Sequence, residues 1–227
     1  TPQKTFGYVR LEILSALLNA VVLLLLTVFI LYEAVDRLLD PPPVMAGPML
    51  AVAMVGLAVN LGSMKLLAAG SSESLNVKGA YFEVMSDMLG SLGVIVAALV
   101  VMFTGWRLAD PIIGAGIGLF IVPRTWGLLR QAVHILMEGT PPEVDVSLVE
   151  AAIREVPGVR AVHDLHVWTL TSGLDSLSCH VVVDDMAEAR ATLVAVNDLV
   201  AKRFKITHTT IQVEDQALRD AEAHRPV

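Results

Sequence analysis

The sequence predicts a four-helix membrane bundle followed by a small α+β domain. Three observations lead there. Hydrophobic residues make up 55% of the 227, where soluble domains hold about 45–50%. The long apolar runs fall within residues 1–137, and residues 141–227 read like a water-soluble domain. Glu138-Gly139-Thr140-Pro141-Pro142 between them is a helix stop followed by rigid residues. The chain therefore divides into a transmembrane part, 1–137, a soluble domain, 138–215, and a polar tail, 216–227, expected to be loose.

A membrane helix needs about 20 mostly apolar residues. Leu11–Tyr32 meets this, and Asp40-Pro41-Pro42-Pro43 stops any helix after it. Met45–Ala69 is the second span, followed by the polar loop Gly70-Ser71-Ser72-Glu73-Ser74. Gly79–Phe103 is the third, and Thr104-Gly105-Trp106-Arg107 is a short turn with Trp106 suited to the interface. Asp110–Leu129 is the fourth, with Gly114, Gly116 and Gly118 permitting close helix packing and Pro123 expected to kink or end it. Asn19 and Asn60 read as amides that hold helices together.

Basic residues orient the spans. Lys4, Arg10, Lys65, Lys78, Arg124 and Arg130 fall on one side, and only Arg37 and Arg107 on the other. Cytoplasmic loops carry the excess of Lys and Arg, so the amino end and the soluble domain should be cytoplasmic.

In the soluble half, Asp145 or Ser147 caps a helix running to about Val156, which Pro157-Gly158 breaks. Val159–Thr171 and Leu174–Asp184 alternate as strands joined at Ser172-Gly173. Ala187–Phe204 has helical spacing, and Thr209–Val213 is a last β-rich run. The order α-β-β-α-β indicates helices packed on one face of a sheet.

Several classes are disfavoured. A net charge of −7 argues against a nucleic-acid partner. One cysteine, Cys179, allows no internal disulfide and no multi-cysteine zinc site. No nucleophile–base arrangement or phosphate loop is visible, so the reading is not an enzyme and has no organic cofactor.

Two groups of residues carry chemistry. Glu83 and Asp87 sit four apart in the third span, hence on one helical face. Ionisable groups inside a membrane helix mark a functional site, and two hard oxygens suit a divalent cation. A proton relay is the main competitor and can share the site. In the soluble domain, His163 and His166 lie on one strand and His180 on the next, with His208 and Glu214 flanking the last. Histidines on adjacent strands can converge on a metal. His163 and His166 have opposite strand parity and should not share a site, Gln212 and Glu214 share parity, and Cys179 should pack inward when His180 faces out.

The run from Ser74 to Ile95 containing Tyr81-Phe82-Glu83-Val84-Met85-Ser86-Asp87 resembles the fifth transmembrane helix of the cation diffusion facilitator family. Phe6-Gly7-Tyr8-Val9-Arg10-Leu11-Glu12 resembles the entry to its third helix. Asp110-Pro111 with Glu138-Gly139-Thr140-Pro141 resembles its sixth helix and exit, and His163-Asp164-Leu165-His166-Val167-Trp168 resembles the signature of its cytoplasmic domain. The resemblance runs colinearly along essentially the whole chain.

It implies a homodimeric efflux transporter for zinc or a related divalent ion, working against protons, in a bacterial inner membrane. It also implies six helices per protomer and a metallochaperone-like cytoplasmic domain that binds metal and dimerises. The four spans then match helices three to six, with the first two, and half of the transport ligands, expected ahead of Thr1. Glu83 and Asp87 match the helix-five ligands, with Glu83 where the family commonly has His. That harder donor set tolerates manganese, cobalt or cadmium beside zinc. The cytoplasmic ligands map onto His163, His180, Gln212 and Glu214. Arg10 and Glu138 match a charge interlock between protomers and domains. Lys4–Tyr8 contains no histidine, so the second site that some members build there is not expected. A non-transporting metal sensor or scaffold and a proton-channel subunit are the competing readings, and the acids of the third span speak against the scaffold.

Overall fold

The computed structural model describes residues 3–68 and 75–222, without the side chains of 75–83 and 222. Four long helices come first: α1 (Leu11–Leu39), α2 (Ala46–Ala68), α3 (Leu75–Thr104) and α4 (Ala109–Leu136). All four are long and apolar enough to cross a membrane, α3 over Val84–Thr104. The soluble part adds α5 (Val146–Arg154), β1 (Val159–Thr171), β2 (Leu174–Val183), α6 (Ala189–Phe204), β3 (His208–Glu214) and α7 (Gln216–Glu222). The predicted class, apolar helices followed by a small α+β domain, is the one observed.

By packing, the chain forms two compact units, residues 20–127 and residues 1–19 with 128–227. In the first, α2 and α3 run along each other. α1 meets α4 where a side chain on Gly118 would come within 3.1 Å of Leu31, and α3 meets α4 where one on Gly93 would come within 3.3 Å of Ile113. A larger residue at either glycine would push the helices apart. Gly114 and Gly116, expected to serve the same purpose, have open space beside them. Arg37 ties α1 to itself through Glu33 at 2.9 Å and to α4 through Asp110 at 3.3 Å. That first pair supports the last turns of α1, which runs past Tyr32 to Leu39. Asn19 is exposed on α1.

α4 is longer than the expected span, which ran to Leu129. It passes through Pro123 and continues to Leu136. A proline removes one helix hydrogen bond, but membrane helices tolerate this because neighbouring groups satisfy the freed carbonyl. Arg124 therefore lies mid-helix rather than at the span's cytoplasmic end. The orientation still follows from Lys4, Arg10, Lys65, Lys78 and Arg130.

In the second unit, Asp145 caps α5, its carboxylate accepting from the Ser147 amide at 2.9 Å. The Ser147 hydroxyl and amide hold the Asp145 carboxyl below its usual pKa. The sheet order is β1-β2-β3, with β1 and β2 antiparallel and β2 and β3 parallel. α5 and α6 cover one face. The core between them holds Val149, Ile153, Val162, Val167, Leu177, Cys179, Val181, Val196, Val200 and Ile206. Burial pushes the Cys179 thiol up to about 11. α7 lies against β2. Its residues were expected as a loose tail, but Asp215 accepts from the Leu218 amide at 2.8 Å and Gln216 donates to Asp220 at 2.7 Å, which caps and braces a short helix.

One break in the strand pattern positions the site. Between His163 and His166, β1 carries a bulge, and Asp164 adopts a left-handed backbone with φ 47°. Val162 and Val167 both enter the core although they are five residues apart, which unbroken alternation forbids.

Candidate metal centres

Both acids of the third span lie in α3. Glu83's side chain is outside the described residues. The Asp87 carboxylate is exposed on the helix and has no ion-pair partner among the described residues. One residue earlier, Ser86 Oγ accepts a hydrogen bond from Arg124 of α4 at 2.7 Å. Asp87 thus keeps lone pairs available for a cation or a proton while its helix is pinned beside it.

The cytoplasmic cluster is built on a transverse row. His163 on β1 pairs directly with His180 on β2, which pairs directly with Gln212 on β3. Directly opposed residues point to the same side of a sheet, so the three leave the face away from the core together. Glu214, two residues beyond Gln212, shares that face and is fully buried. Its Oε1 meets His163 Nε2 in a short contact, and its Oε2 lies 3.4 Å from His180 Nδ1. Gln212 Nε2 donates to the same Oε2 at 3.2 Å. The two imidazole rings lie 4.9 Å apart. All four residues assigned to the cytoplasmic site thus come together. Two imidazoles over a carboxylate are donors that zinc and its neighbours favour, so the residues fit a metal.

Asp164 completes the cluster and was not singled out from the sequence. Its Oδ2 lies 3.5 Å from His163 Nδ1. One ligand atom each from His163, Asp164 and His180 lies within 4.8 Å of the others. His166 stands elsewhere. The bulge turns it to the same side as His163, against the parity count, but it lines a cleft of about 440 Å³ with Glu138, Thr140, Trp168 and Ser178. Cys179 is 2% exposed, in the core behind His180.

The expected interlock pair is in contact. Arg10 donates to Glu138 at 2.8 Å. Glu138 takes φ 58°, a left-handed backbone that glycine adopts without strain. Beside it, His134 Nε2 lies 2.9 Å from the Thr140 carbonyl, its ring over Gly139. Two further contacts reach the same end of α1: Thr171 donates to Glu12 at 2.6 Å, and Phe6 meets His208 edge-on at 5.4 Å. The Glu12–Thr171 contact has no sequence signal.

Four membrane-length helices with a carboxylate exposed on the third, leading into a small α+β domain, define a multi-pass membrane protein with a carboxyl-terminal cytoplasmic domain. The family model described as the cation efflux transmembrane domain matches residues 1–137, and that described as the cation efflux protein cytoplasmic domain matches 141–216. The chain belongs to the cation diffusion facilitator family, which makes it a divalent metal cation efflux protein and a transporter rather than an enzyme. It is 48% identical to the cation efflux system protein CzcD of Alcaligenes sp. strain CT14, over 97% of this chain and 70% of that protein. It is 42% identical to the cadmium, cobalt and zinc/H(+)-K(+) antiporter of Bacillus subtilis strain 168, over 94% of this chain and 70% of the other. The metal-bound C-terminal domain of the CzcD transporter from Cupriavidus metallidurans is 46% identical, covering 31% of this chain and 99% of that domain with a TM-score of 0.29.

Proposed function

We propose that the protein exports zinc and related divalent ions in exchange for protons as a homodimer. Glu83 and Asp87 are α3's contribution to the transport site, and the His163–His180 cluster senses cytoplasmic metal. The observation that carries the first part is the Asp87 carboxylate, held in an apolar span without a cationic partner among the described residues. Such a group is costly in lipid unless it takes a cation or a proton. A carboxylate that exchanges one for the other couples their fluxes. The name of the Bacillus relative, which couples cadmium, cobalt and zinc to protons and potassium, supports both the exchange and the broad metal range. An oxygen-only pair on α3 favours the same breadth.

The sensing part is supported by the row His163–His180–Gln212 above buried Glu214. The contacts Arg10–Glu138, Glu12–Thr171 and Phe6–His208 link the first residues of α1 and its entry to the domain that holds the row. Metal on the row would draw two such domains together in a dimer and bias the transporter towards one state.

Proton flux driven by a zinc gradient, followed with an internal pH dye in proteoliposomes, tests the transport site. Asp87→Ala should cut that flux at least tenfold with protein insertion unchanged. Flux equal to wild type would overturn the assignment of Asp87.

A further inference from the structure

We propose that Arg124 is the resident cation of the transport site: it stands off on Ser86 while Asp87 is open to a metal ion, and it moves onto the Asp87 carboxylate once the ion has left. This rests on the reading of Asp87 as a transport ligand, and it adds the group that takes the ion's place.

The placement follows from helix packing. α3 and α4 are joined by a short turn and run antiparallel. Gly93 of α3 lies against Ile117 of α4, where an added methyl would come within 3.3 Å of the isoleucine. Seven residues make about two helical turns and return to nearly the same face. Ser86 lies seven residues before Gly93, and Arg124 lies seven after Ile117. Both therefore fall on the seam that Gly93 opens, and there Arg124 donates to Ser86 Oγ at 2.7 Å. Asp87 is the next residue on α3, at the edge of that seam, and it is exposed.

Asp87 and Arg124 both lie inside the membrane-length apolar stretches of their helices. An arginine there is always charged and costly, and it ordinarily pairs with an acid. Arg124 instead donates to a neutral hydroxyl, which leaves its charge uncancelled, and no ion pair joins it to Asp87 among the described residues. Their separation leaves the carboxylate open to an incoming cation. Their proximity lets the same carboxylate be neutralised without one, since the next side chain on α3 is within the swing of the long arginine stem. Closing on Asp87 does for the empty site what the ion does for the loaded one: it cancels charge that lipid does not solvate. A divalent ion brings twice the charge and direct oxygen coordination, and it returns the guanidinium to Ser86. The plainer use of the same contact is a brace between α3 and α4, and kinetics separate the two.

Zinc-driven proton flux in proteoliposomes yields KM and maximum rate separately. Arg124→Gln removes the charge and keeps a donor. It should lower the KM for zinc about tenfold, because nothing competes for Asp87, and lower the maximum rate about tenfold, because nothing displaces the ion. Ser86→Ala removes the resting place and keeps the charge. It should raise the KM about tenfold and hold the maximum rate within about threefold of wild type. The double variant should behave as Arg124→Gln alone. Arg124→Lys keeps the charge and a donor for a single hydroxyl, and should hold both constants within about threefold. A brace predicts that Arg124→Gln and Ser86→Ala impair transport alike. KM values that move in the same direction, or not at all, overturn the proposal, as does Arg124→Lys impaired as deeply as Arg124→Gln. Wild-type flux in Asp87→Ala is a separate failure: it removes the acid from the transport site whatever the two KM values do.

Discussion

Cys179 offers a way to watch the cytoplasmic domain without adding a probe, because it is the chain's one cysteine. It lies 2% exposed in the core, directly behind His180 on β2. Only the thiolate reacts with alkylating and disulfide reagents. Burial raises the thiol from 9.0 to about 11. At pH 8 the thiolate fraction is then roughly a thousandth in the folded domain, against roughly a tenth in the unfolded chain. Labelling should therefore be about 100-fold slower than in a urea-unfolded control from ionisation alone, and slower still because the reagent must enter the core. The same shift sets a pH dependence. The folded value is raised, so the stability this group contributes is complete below pH 9 and is lost as pH rises through 11. The loss amounts to about 3 kcal/mol in all. A Cys179→Ala variant should lack that slope, which separates it from the titration of tyrosines and lysines. Zinc at 100 times its dissociation constant should slow labelling through unfolding by about 100-fold more. Labelling within tenfold of the unfolded control at pH 8, or an urea midpoint as flat as that of Cys179→Ala between pH 9 and 11, would refute the packing of Cys179.

Two other substitutions probe the join between the first helix and the domain. Arg10 and Glu138 are 36% and 61% exposed, so breaking their pair should change stability by less than about 1 kcal/mol. Charge reversal at either residue should reduce metal-driven flux, and the double swap Arg10→Glu with Glu138→Arg should restore most of it. A double variant as impaired as the singles would remove the pair from the coupling path. Gly139→Ala places a methyl within 2.2 Å of the His134 ring. That ring is exposed and can swing out, so the expected cost is the lost hydrogen bond to Thr140, about 1 kcal/mol. The cost should vanish in a His134→Ala background, as a double-mutant cycle on urea unfolding would record, and an unchanged cost there would place the strain in the backbone.

What the sequence made legible was what periodicity encodes. Apolar runs marked four helices, and Val159–Thr171 was read as a strand to the residue. Punctuation was less reliable. Pro123 reads as a kink or an end; it does not end α4, which continues to Leu136 because neighbouring groups in a membrane bundle can satisfy the freed backbone carbonyl. Asp215 is a cap in a stretch whose polar composition reads as a tail, and it starts α7. Contacts such as Glu12 with Thr171 join residues 159 apart and leave no local trace.

The bulge at Asp164 is the informative miss, since its signal was present. Strict alternation from Val162 groups Val162, Asp164, His166 and Trp168 on one face and His163, Leu165 and Val167 on the other. Neither set is apolar throughout, so neither can face a core over its whole length. One extra residue repairs both. Val162, Leu165 and Val167 then all meet the hydrophobic core, and His163 is left on the far side with Asp164 beside it. A register conflict inside a strand that otherwise alternates well therefore locates an inserted residue, and the inserted residue is the one whose side chain the sheet does not need. Asp164 is that residue, with its carboxylate 3.5 Å from His163 Nδ1 and its backbone at φ 47°.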